Sequence, residues 1–280
     1  RYAVDGLKRQ RLDKPYVRVD GKLKAASWTE AMELVIAKMK ATTCDKIGAI
    51  AGDMVDAESM FAAKKLLTAL GATSLDCRQD GAKVGGDRAS YLFNTSIAGL
   101  EEADAILLVG SNPRWEAPLV NARIRKRFLE GGLQVFGLGV EHDLTYDVTW
   151  LGASPAKIND LGDALASLKA AQNPVVIVGQ QALTRKDGAA ILAAAFDVAK
   201  QSDAGFNVLH TAASRVAGLD LGFLPSNGGM TAAEMVKGNL EVLFLMGADE
   251  IDATGTDAFT VYVGHHGDRG AHAADVILPA

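Results

Sequence analysis

Hydrophobic residues in this chain alternate between two patterns. Short, almost wholly apolar runs at Ile47–Ala51, Ala105–Val109, Leu133–Leu138, Val175–Val178, Val242–Met246, Phe259–Val263 and Val276–Leu278 read as strands buried on both faces. Asn207–His210 adds a shorter strand. Between them, apolar residues recur at helical spacing. Ser27 and Glu30 form a capping box ahead of a stripe of Met32, Val35, Ile36 and Met39. Asp56 caps a second helix with a stripe of Met60, Ala63, Leu67 and Leu70, and Gly71 suits its C′ position. Further helices are predicted over Ala117–Glu130, Ile158–Ala171, Lys186–Gln201 and Thr231–Lys237. The stretch 1–26 reads as a linker or small hairpin. The alternation predicts an α/β protein with Rossmann-like parallel sheets and helices on both faces.

Composition narrows the class. With 280 residues, the chain is long enough for one large or two ordinary domains. Hydrophobic residues make up 49% and charged residues 22%, an ordinary globular balance. A net charge of −5 argues against a general nucleic-acid surface. Cys44 and Cys77 are too few for a four-cysteine zinc or iron–sulfur site. The longest apolar run, Ala189–Phe196, falls far short of the roughly 18 residues that suggest a membrane span, so no direct membrane insertion is expected. No secretion signal opens the sequence. Beginning on Arg1 and stopping just after a strand-like run, it reads as a piece of a longer protein.

In parallel sheets of this kind, ligands bind where strands end and loops feed the next helix. Gly110, Gly139, Gly179 and Gly247 stand at such strand ends. The dinucleotide fingerprint fails, because Gly137-Leu138-Gly139 is followed by His142 where its third glycine belongs. The sequence also lacks a phosphate loop and a nucleophile elbow. His265, His266, Asp268 and His272 have the chemistry of a transition-metal site, but their glycine spacing reads as a structured turn. Arg123, Arg125, Lys126 and Arg127 sit in the last turns of a predicted helix, where cations complement the dipole. They read either as a solvated face or as a contact for an acidic partner. No catalytic, cofactor-binding or metal-ligating residue is expected from these patterns.

Longer stretches are more specific. Asp5–Leu12, Leu100–Pro118 running into Asn121–Lys126, Gly264–His272 and Ala274–Pro279 together resemble the large iron–sulfur subunit of respiratory complex I, NADH:quinone oxidoreductase. The resemblance is to its alphaproteobacterial and mitochondrial forms, and it covers essentially the whole chain. It implies iron–sulfur clusters in an N-terminal part that this sequence lacks, since Cys44 and Cys77 match none of the ligand runs. It also implies a molybdopterin-oxidoreductase-like fold of two interleaved lobes. Residues 27–80 with about 205–280 would form one lobe and 81–204 the other, with 1–26 as a linker from the missing domain. In catalytic relatives, loops like Gly110-Ser111-Asn112-Pro113 hold a pterin nucleotide, and an earlier loop ligates the metal. The corresponding loop here carries Cys77 and Asp80, neither of which falls clearly on the ligand position.

The resemblance implies a non-catalytic part of complex I that supports electron transfer from NADH to quinone. Its expected partners are other hydrophilic-arm subunits, including the flavin-bearing NADH-oxidising subunit. Its expected place is the cytoplasmic face of the bacterial inner membrane or the matrix side of the mitochondrial one. The alternative is a molybdopterin-binding oxidoreductase domain with Cys77 or Asp80 as metal ligand. A generic nucleotide-binding α/β domain is disfavoured by the failed fingerprint.

Overall fold

The computed structural model describes residue 9, residues 11–267 and residues 269–280. Asp5–Lys8 and Gln10 of the first motif, and Asp268 of the histidine-rich turn, therefore lie outside the described residues. Twelve strands are described. In chain order they are β1 (Tyr16–Val19), β2 (Lys22–Ala25), β3 (Ile47–Ala51), β4 (Ser74–Asp76), β5 (Ala105–Val109), β6 (Gln134–Leu138), β7 (Thr149–Gly152), β8 (Pro174–Val178), β9 (Gly205–Val208), β10 (Val242–Met246), β11 (Phe259–Gly264) and β12 (Val276–Pro279). They make two sheets, of order β2-β1-β12-β11-β10-β3-β4 and β7-β6-β5-β8-β9. By their contacts the residues group into two compact units, the chain through Gly81 with Ala212–Ala280, and Ala82–Thr211.

In the first unit, β12, β11, β10, β3 and β4 run parallel. The β1–β2 hairpin adds an antiparallel edge, with Tyr16 opposite Ile277 and Val17 opposite Val276. Residues 16–25 are thus part of the sheet rather than linker. Tyr16, Val17 and Leu23 give too short an apolar signal to separate a hairpin from a connector.

The helix Trp28–Ala41 starts on the expected capping box: Ser27 N–H donates to Glu30 Oε2 at 2.8 Å, and Glu30 N–H to Ser27 Oγ at 3.2 Å. Its buried face is rotated from the expected stripe. Ala31 and Val35 are buried against Val261, Val276 and Leu278, with Leu34 and Met39 alongside, while Met32 and Ile36 are exposed. Alanine permits the closest approach to the sheet, so the small residue rather than the large ones marks the contact. The helix Ala57–Ala69 is capped by Asp56 and buries Met60 and Leu67 as expected.

The second unit is a five-stranded, all-parallel sheet. Every residue of β5 and β8 is buried, as a central strand covered on both faces requires. β9 pairs with β8 here, so the strand expected at Asn207–His210 belongs to this unit, and the crossing falls after Thr211 instead of near 205. The reason is pairing: Phe206 and Val208 find their ladder beside Val176 and Val178. The helix expected at Ile158–Ala171 is broken into a 3-10 turn, Pro155–Asn159, and a helix, Asp163–Ala170. Gly162, at φ +52 and ψ −126, carries a conformation that an L side chain rarely adopts, so the helix cannot run through it.

Candidate functional site

The carboxyl edges of the two parallel sheets are the places to look for ligands. In the first unit the order reverses between β3, whose chain continues to β4, and β10, whose chain continues to β11. Four segments meet at this edge. Asp53 follows β3, Cys77–Asp80 follow β4, Asp249 and Glu250 follow β10, and Ser214–Arg215 open the helix Arg215–Asp220. Ser214 ties two of them together, donating from its N–H to Asp53 O at 2.9 Å and from Oγ to Gly52 O at 2.8 Å.

Arg215, only 1% exposed, is the largest fully buried side chain among the described residues. Its Nε donates to Cys77 O at 3.1 Å and its Nη2 to Asp80 Oδ1 at 2.9 Å. Asp80 is therefore engaged as the counter-ion of a buried arginine. Asp76 Oδ1 accepts from Arg78 N and Nε at 3.0 and 2.8 Å, and Asp76 Oδ2 accepts from Ala232 N at 3.1 Å. Gln79 donates to Glu250 Oε2. Burial holds the Asp53 carboxyl above its ordinary range, and the Glu250 charge adds to this, while a bond from Gln79 opposes it.

Cys77 is buried within the first unit, where a Cβ on Gly218 would meet its Sγ at 2.7 Å. Desolvation, followed by the neighbouring Asp76 charge, pushes its thiol up to about 12. Beside this network, a pocket of about 250 Å³ is lined by Met54, Asp56, Ser59, Met246, Asp249 and Glu250 among others. Its charged lining is mostly acidic. Such a lining repels a phosphate or pyrophosphate instead of holding it.

In the second unit the order reverses between β5 and β8. Gly110-Ser111-Asn112-Pro113 follows β5, and Gly179-Gln180 follows β8 at the same level, since Val109 pairs with Val178. Glu116 sits between the two loops, and its carboxylate accepts from Asn112 N at 2.9 Å and Gln180 N at 3.2 Å. Asn112 does not cap the following short helix with its side chain. A smaller pocket of about 110 Å³ lies along the same edge, with Gly110, Gly139, Val140, Gln181 and Arg185 in its walls.

The remaining candidates separate. His265 and His266 stack edge to face at 4.7 Å, and His272 lies in the helix Arg269–Ala273. Among the described residues no three histidine, cysteine or acidic side chains converge as a metal site would require. Arg123 and Lys126 both pair with Glu101, and Arg127 Nη1 donates to Gly131 O at 2.7 Å. These cations are therefore engaged within their own unit. Glu116 and Arg215 escape a reading of the sequence, where each is one charged residue at a helix end.

Comparison with known proteins matches this architecture to a class. The sequence pattern of the molybdopterin oxidoreductase family fits residues 11–280, and the chain belongs to that family. The solved structure of acetylene hydratase from Pelobacter acetylenicus superposes with a TM-score of 0.56, over 99% of this chain and 56% of that one. At 13% identity, that likeness concerns the fold.

Within the class, the chain is a homologue of the G subunit of NADH-quinone oxidoreductase. It is 44% identical over 292 residues to that protein from Rickettsia felis. It is 42% identical over 295 residues to the mitochondrial NADH dehydrogenase [ubiquinone] iron-sulfur protein 1 of Solanum tuberosum. All of this chain is covered, against 42% and 39% of those relatives, so it spans about two fifths of their length. Among the described residues, no helix is long and apolar enough to cross a membrane.

Proposed function

We propose that this chain is a non-catalytic structural part of the large iron–sulfur subunit of an NADH:quinone oxidoreductase, with the clusters held by other parts of that subunit. In this reading its two units support the cluster-bearing domain. They also dock onto neighbouring hydrophilic-arm subunits, the flavin-bearing one among them, at the cytoplasmic or matrix side of the inner membrane.

Cys77 carries the reading. A metal ligand must be a thiolate facing the metal, and thiolates form in electropositive, accessible surroundings. Cys77 is instead fully buried, packed against Gly218 inside the first unit. Asp80 is committed to Arg215. The acidic pocket beside these residues would repel an anionic pterin nucleotide at this edge of the first unit. The residues of this edge of the first unit do not fit the cofactor.

The test is metal analysis of the intact complex, before and after Cys77→Ala. The expected result is molybdenum and tungsten well below one per complex, and NADH:quinone turnover unchanged by the substitution. One molybdenum or tungsten per complex, lost in Cys77→Ala, overturns the reading in favour of a molybdopterin enzyme.

A further inference from the structure

Glu116 lies where a doubly wound sheet ordinarily takes its ligand. β5 and β8 are adjacent, end in register at Val109 and Val178, and send their chains to opposite sides. The crevice at such a point is lined by backbone N–H groups with no strand to pair with. Here two of them, on Asn112 and Gln180, come from different loops, far apart along the chain, and converge on one carboxylate. Each takes a separate oxygen, at 2.9 and 3.2 Å.

The fit is close. A Cβ on Gly179 would lie 2.5 Å from Ser111 Cβ and 2.6 Å from Glu116 Oε2, so the carboxylate fills the space that a side chain there would need. Ser111 and Gln180, 4% and 8% exposed, adjoin it. Ser111 Oγ and Gln180 Oε1 are both buried without a hydrogen-bond partner among the described residues. The crevice thus offers two fixed donors around a carboxylate-sized volume.

We infer that the switch point of the second unit is a carboxylate-binding site whose resident ligand is the Glu116 side chain, so that removing this side chain opens a site for a small free carboxylate. The geometry alone carries this, and it does not rest on the scaffold reading. Charge-assisted bonds from backbone N–H groups are among the stronger ones. Both donors are positioned by strand ends, which the loss of the side chain leaves in place.

The experiment is thermal unfolding of the full chain as wild type, Glu116→Ala and Glu116→Gln, each in sodium acetate and in sodium chloride at equal ionic strength. Glu116→Ala is expected to melt roughly 5 °C lower in chloride, the scale of two lost charge-assisted bonds in a domain of this size. Acetate is expected to restore at least half of that loss and to leave wild type unmoved. Glu116→Gln keeps the volume but only one acceptor, so it melts lower than wild type and gains nothing from acetate. An acetate response equal in wild type and Glu116→Ala, or none in either, overturns the inference. Should Glu116→Ala fail to fold, Glu116→Gln decides, because wild-type stability in that variant would mean that the second oxygen binds nothing of consequence.

Discussion

Gly52 and Gly247 meet back to back where β3 and β10 end: a Cβ on Gly52 would lie 1.8 Å from Gly247 O. That oxygen belongs to backbone, so the clash cannot be relieved by a side-chain rotation. The contact sets how closely the two strand-end loops of the first unit approach. It also lets Gly52 N–H reach Met246 O at 2.8 Å.

Gly52→Ala is therefore expected to separate the loops and cost about 3 kcal/mol, the upper end of the range for overpacking. Chemical denaturation of the variant against wild type measures it. A loss below about 0.5 kcal/mol, the size of an ordinary surface substitution, would mean that the loops move apart freely.

Arg215 and Asp80 form a pair with one partner almost wholly buried. Removing the arginine takes away its guanidinium bonds to Asp80 Oδ1 and Cys77 O and leaves a large void at a fully buried position. Arg215→Ala is expected to destabilise by about 3–5 kcal/mol, as for other buried pairs broken on one side. Arg215→Lys is expected to recover only part of this, because an ammonium cannot reproduce two bonds from separate guanidinium nitrogens. Equal stability of the lysine variant and wild type would show that only the charge matters.

The rotated face of the helix Trp28–Ala41 gives a sharper comparison. Val35 is 3% exposed and Ile36 is 43% exposed, though the two are neighbours of similar hydrophobicity. Val35→Ala is expected to cost about 2 kcal/mol through lost burial and a residual cavity, and Ile36→Gln less than about 0.5 kcal/mol. Denaturation midpoints of both variants check this, and a larger loss at Ile36 would restore the face that the spacing of large apolar residues predicts.

Why some features are legible follows from the range of the interactions that make them. The Ser27–Glu30 capping box, the Asp56 cap and the buried strands β3, β5 and β10 are readable because each is fixed by residues within a few positions. β4, Ser74-Leu75-Asp76, is not: two of its three residues are polar, and their burial draws on distant backbone N–H groups, Met230 to Ser74 and Ala232 to Asp76, with Arg78 adding a local ion pair to Asp76. β7 escapes for a related reason. Trp150 lies over Gly137, a residue of another strand that makes room by having no side chain. The site stays hidden for the same cause. Glu116 owes its position to Gln180, 64 residues on, and Arg215 to Asp80, 135 residues back.

The two cysteines make the last prediction. Cys44 is exposed and Cys77 buried. A thiol reagent at pH 8 is therefore expected to modify one cysteine in the native chain and two after denaturation, because the thiolate reacts and Cys77 does not form it when folded. The pH dependence has a definite sign. The folded thiol sits at about 12, against a reference of 9.0 when unfolded. Between those values the folded state holds a proton that the unfolded state has released. Stability from this group is thus complete below about pH 9 and is lost as pH rises towards about 12. Burial also raises the Tyr146 phenol, which contributes an alkaline loss of its own. The comparison that isolates the cysteine is wild type against Cys77→Ala, both titrated from pH 8 to 11. The variant is expected to start lower by about 1 kcal/mol, for a small cavity beside Gly218, and to fall less steeply with pH. Parallel curves would mean that Cys77 ionises in the folded chain as readily as in the unfolded one, and rapid labelling of both thiols in the native chain would place it at the surface.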